Sequence, residues 1–83
     1  MGMSTAHWLE AYAAKLGVAA PTPEETETLL ALAGVAAHAA QRSAAPVSCY
    51  LVARAGVTPG AALAAAEELA AGHDAETTRS DAE

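Results

Sequence analysis

Apolar residues recur along this chain at intervals of three and four, and Thr, Pro and Gly divide them into four stretches. In "STAHWLEAYAAKLG", Ser4 or Thr5 can cap a helix that places Trp8, Leu9, Tyr12 and Leu16 at helical spacing, with Gly17 as the left-handed stop. Trp8 is the expected main anchor of that helix. In the second stretch Thr22 caps, Pro23 takes the first helical position and Glu25 completes a capping box. The helix so started is expected to run from Pro23 to about Gln41. At 100° per residue, Leu29, Leu30, Leu32, Ala33, Ala36, Ala37 and Ala40 fall on one arc, the expected core face.

The third stretch, "SAAPVSCYLVARAG", opens at Ser43 or Ala45 before Pro46 and stops at Gly56. Val47, Cys49, Tyr50, Leu51 and Val52 spread around most of it, which predicts a largely buried central helix from which Arg54 snorkels. Thr58 and Pro59 open a fourth helix, with Leu63, Ala66, Leu69 and Ala70 on its apolar side and Gly72 as its stop. The short connections favour antiparallel packing. The pattern predicts an all-α fold: a small four-helix bundle over residues 5–72, a short N-terminal extension over 1–4 and a flexible, disordered acidic tail over 73–83.

Composition sharpens this picture. The chain of 83 residues is 53% hydrophobic, but alanine supplies most of that and phenylalanine is absent. Alanine is the best helix former and lets backbones approach closely, so the helices are expected to be tight and the core modest. The formal charge of -6 with four basic side chains opposes the phosphate attraction on which nucleic-acid binding depends. No run of apolar residues reaches the length of a membrane span. One cysteine, Cys49, excludes an intramolecular disulfide and points to a reducing, cytoplasmic setting.

Little in the chain carries chemistry. His38 and Arg42, four apart and away from the leucine arc, can form a small cationic site for a phosphate or carboxylate, or can simply complement a helix C-terminus. Val35 lies beside Arg42 on the helical wheel and adds an apolar contribution to the same surface. Cys49, in the first turn of the third helix, is read as a packing residue rather than a nucleophile. The histidines and the cysteine lack ligand spacing, so no metal or other cofactor is expected. Glu24, Glu25 and Glu27 read as helix-start electrostatics. None of Ser4, Ser43, Ser48 or Ser80 stands in the Asp-Ser-Leu setting of an acyl carrier protein, which excludes that class.

The pieces "HWLEAYAAKLGV", "LLALAGVAAHAAQR" and "APVSCYLVARAG", in this order, resemble a small family of helical bacterial domains of unknown function. The likeness covers about Ala6 to Ala71 and rests on Trp8, Leu9, His38, Arg42, Pro46, Tyr50 and Leu51; Ala53 and Arg54 depart from it. That family is typical of high-G+C bacteria and occurs alone or fused to MobA-like molybdenum cofactor guanylyltransferases. The resemblance implies an accessory role in molybdenum cofactor biosynthesis or delivery. The expected function is therefore a non-enzymatic accessory or protein-interaction domain. Its face carrying Val35, His38 and Arg42 would meet a guanylyltransferase, a molybdoenzyme accessory protein or a second copy of the chain as a homodimer. The alternative is a helical module in which His38 and Arg42 bind a small anion.

Overall fold

A computed structural model describes the backbone of residues 2–82 and the side chains of residues 2–72. It shows four helices, α1 (Thr5–Leu16), α2 (Pro23–Ala39), α3 (Ala44–Ala55) and α4 (Pro59–Ala82), and no strand among the described residues. The chain is an all-α, four-helix bundle measuring 53 × 30 × 18 Å. The fourth helix continues through Gly72, since one glycine inside an alanine-rich helix costs only about 1 kcal/mol relative to alanine. The flexible acidic tail expected over 73–83 lies outside the residues whose side chains are described.

Local chemistry starts and stops the helices much as their sequences predict. The Ser4 hydroxyl accepts from the His7 backbone N–H at 3.1 Å. At α2 the Thr22 hydroxyl accepts from the Glu25 N–H at 3.0 Å, and the Glu25 carboxylate accepts from the Thr22 N–H at 2.9 Å. That reciprocal pair satisfies two backbone donors that would otherwise be orphaned. Thr58 repeats the first half of the device for α4, accepting from the Ala61 N–H at 3.2 Å. The third residue after Thr58 is alanine, so the box cannot close there. Gly17 and Gly56 end α1 and α3 in the left-handed conformation, at φ 76° and 73°.

The α2–α3 junction differs from the sequence expectation. α2 ends at Ala39 rather than near Gln41, because Ala40 leaves helical geometry at φ -127°, ψ -97°. The next helix begins almost at once: the Ala44 and Ala45 N–H groups donate to the Gln41 and Arg42 carbonyls at 2.9 and 3.1 Å. These turn bonds occupy the first donors of α3, and Pro46 has none to satisfy. Ser43 accordingly stands at the cap without a side-chain hydrogen bond.

Packing is organised on α2, which is the helix that contacts both α3 and α4 extensively; α1 and the α3–α4 pair form no contact of that extent. Among the described residues, Leu32 of α2, 3% exposed, Ala62 of α4 and Ala13 of α1 are the buried ones. Leu29, Ala33, Ala36 and Ala37 are half-buried as their arc requires, whereas Leu30 and Ala40 of the same arc are exposed.

Two sequence expectations are overturned. Trp8 does not anchor a core: it is 53% exposed and stacks on Tyr12, with ring centroids 5.5 Å apart. The reason is that no other helix covers this side of α1. Helix α3 is not a buried central element either, and none of its residues is buried. Ala44, Ala45, Ser48, Cys49 and Val52 are half-buried, while Val47, Tyr50, Leu51 and Arg54 stand exposed. With one extensive neighbour, α3 can cover only one side. Arg54 lies over its own helix, donating from Nη1 to the Tyr50 hydroxyl oxygen at 3.3 Å.

The glycine stops give a prediction of sign as well as size. An alanine Cβ at Gly17 or Gly56 would meet nothing within 4 Å, so the left-handed backbone alone sets the penalty. Gly17→Ala and Gly56→Ala should each destabilise the domain by about 1 kcal/mol. Gly34→Ala, in open space on the helical backbone of α2, should stabilise it by up to about 1 kcal/mol. Urea unfolding followed by circular dichroism would show the midpoints moving in opposite directions.

Candidate interaction face

Because α3 and α4 both lean on α2 without meeting each other extensively, a groove of about 370 Å³ opens between the three helices. Val35, Ala36 and Ala39 of α2, Ala40 just after it, Ala44 and Ser48 of α3, and Ala66, Leu69 and Ala70 of α4 line it. Most of these side chains are methyl groups. The walls are therefore smooth and apolar, with the Ser48 hydroxyl as the polar group of the lining. Leu69, 76% exposed, stands at the edge with most of its side chain in water.

A smaller concavity of about 230 Å³ adjoins this groove and shares Val35, Ala39 and Ala70 with it, adding His38. Val35 is half-buried and His38 is exposed. The two therefore belong to one continuous surface. Arg42 is exposed in the turn after α2 and lines neither concavity. The one-turn relation between His38 and Arg42 requires a helix that reaches residue 42, and α2 stops at Ala39. Neither side chain takes part in the side-chain hydrogen bonds found among the described residues.

Cys49 lies elsewhere, half-buried in a depression of about 500 Å³ with Leu29, Val52, Val57 and Pro59. α3 begins at Ala44, so Cys49 falls in its second turn, not in the first turn where free backbone N–H groups point. The charged residue lining that depression is Glu25, and no cation faces the thiol there. This setting suits packing. Among the described residues, no group of three or more His, Cys, Asp or Glu is placed to hold a metal ion. No described helix is long and apolar enough to cross a membrane.

What this surface offers is apolar area with a polar edge rather than a converging set of reactive groups. In comparison with known families, residues 2–81, almost the whole chain, match a domain of unknown function, DUF6457. The chain belongs to the DUF6457 family. No curated protein and no solved structure matches it. Within this DUF6457 domain, sequence periodicity alone placed Val35 outside the leucine arc and Leu69 on the apolar side of α4. It did not show that the two border one groove, since that depends on how α4 crosses α2.

The separation of Arg42 from the concavity at His38 has a measurable consequence. Titration with phosphate, molybdate or a guanine nucleotide should shift no amide signal between Ala37 and Pro46 beyond a chloride control at equal ionic strength. A saturable shift in those signals, removed by Arg42→Ala, would instead establish the anion site.

Proposed function

We propose that this DUF6457 chain is a non-enzymatic protein-interaction domain that docks a partner on the groove formed by α2, α3 and α4. The observation that carries this reading is the open, methyl-lined groove bordered by Val35 and by a Leu69 that is 76% exposed. Apolar area of this kind gains free energy when another protein removes it from water, by roughly 25 cal/mol per Å². His38 and Arg42 stand outside the alanine floor as rim residues, where charge steers association more than it adds affinity. The partner is a molybdenum cofactor guanylyltransferase or a molybdoenzyme accessory protein, and the setting is cytoplasmic. The resemblance carried by Trp8, His38, Arg42, Pro46 and Tyr50 supports that choice of partner, and the single cysteine supports the compartment.

Co-purification with the tagged guanylyltransferase tests this directly. The pair Val35→Glu with Arg42→Glu changes one groove residue and one rim charge and should abolish capture while leaving the helical circular dichroism spectrum unchanged. Leu69→Glu should weaken capture by roughly tenfold or more, the loss expected on truncating an interfacial apolar contact. Equal recovery of the candidate partner with wild type and with both variants would overturn the assignment.

A further inference from the structure

Helix α1 is closed off at both ends by its own groups. The Ser4 hydroxyl caps its start, and at its end the Gly17 and Val18 N–H groups donate to the Ala14 and Ala13 carbonyls at 3.1 and 2.9 Å. These bonds satisfy carbonyls of its last turn from within the same segment. The chain leaves through Gly17 in the left-handed conformation, so α1 does not run on into α2. The start of α2 is equally independent, because the Thr22–Glu25 box draws on no group of α1.

What ties α1 to the rest of the fold is correspondingly thin. Of its 12 residues, Ala13 is buried and Leu9 half-buried, and the others are exposed. Among the described residues, no side-chain or turn hydrogen bond joins residues 2–18 to residues 19–72. α1 meets no other helix extensively, whereas α2 packs on both α3 and α4. The connecting residues Gly17 to Ala20 are exposed, and Pro21 is half-buried. Segments with few buried apolar contacts and exposed backbone hydrogen bonds are those that open below the global unfolding free energy. A free helix of 12 residues is marginal in water, so α1 loses helix as well as docking when it opens.

We propose that α1 is a hinged arm, which opens from the fold as a unit about residues 17–22 while α2, α3 and α4 keep their packing. Leu9 and Ala13 are its latch. Opening parts the walls of a concavity of about 390 Å³ that Leu9 and Glu10 of α1 line together with Pro21, Pro23 and Thr26. It leaves the groove of α2, α3 and α4 whole, because no residue lining that groove belongs to α1. The arm is therefore independent of partner docking.

Native-state hydrogen exchange of the full chain, read by NMR at graded urea below the unfolding transition, tests the arm. Amides of α1 from Trp8 to Leu16 should be at least roughly tenfold less protected than those of Leu32 to Ala39 in α2. Their protection should also fall less steeply with urea, since opening one helix exposes less surface than unfolding the domain. Leu9→Ala, which removes most of the latch, should lower α1 protection by roughly a further tenfold and leave α2 protection unchanged. Equal protection and equal urea slopes in α1 and α2, or a loss in Leu9→Ala shared equally by the two helices, would overturn the proposal.

Discussion

The burial of Leu32 on α2, the helix that meets both α3 and α4, is the interaction on which the rest of this domain depends. Leu32 is 3% exposed, and the other buried residues, Ala13 and Ala62, each contribute a single methyl group. A fully buried leucine is worth roughly 1.5–3 kcal/mol, several times what a methyl provides. The alanine-rich contact surfaces allow close approach of α3 and α4 to α2, but they supply little apolar volume. A chain so constructed cannot enclose its own larger side chains, which is why Trp8, Tyr50, Leu51 and Leu69 remain on the outside.

With so thin a core, the ends of the helices carry an unusual share of the specification. The reciprocal Thr22–Glu25 box, the Thr58 cap and the left-handed Gly17 and Gly56 fix where the chain turns, independently of what packs on what. Each such device contributes on the order of 1 kcal/mol, comparable with the burial of one small side chain. The α2–α3 turn lacks a glycine, and it is held instead by main-chain bonds from Ala44 and Ala45. That turn displaces Arg42 from the helix that carries His38.

The same shortage of core links fold to function. A domain that leaves a methyl-lined groove on one face and aromatic and aliphatic stripes on α1 and α3 is stabilised by whatever covers them, because association adds to the free energy of the folded state. The groove and the two stripes involve different residues, so they can serve different contacts. In this respect the exposed apolar residues of the DUF6457 domain follow from its composition.

The sequence by itself determined the all-α class, the four helices, the starts at Thr22 and Thr58, a first start at Ser4 or Thr5, and the stops at Gly17 and Gly56. These are local matters, settled by hydrogen bonds and backbone geometry within a few residues. It also marked Leu32 as core and Val35 as lying off the leucine arc. Periodicity reports which side of a helix is apolar but not whether a neighbour covers it. The exposure of Trp8, the open outer face of α3, the joining of Val35 and Leu69 around one groove and the separation of Arg42 from the concavity at His38 were therefore decided only in the tertiary structure. There α2 meets two helices extensively and leaves α1 without a comparable contact, so identical apolar spacing produces a buried arc in one helix and an exposed stripe in another.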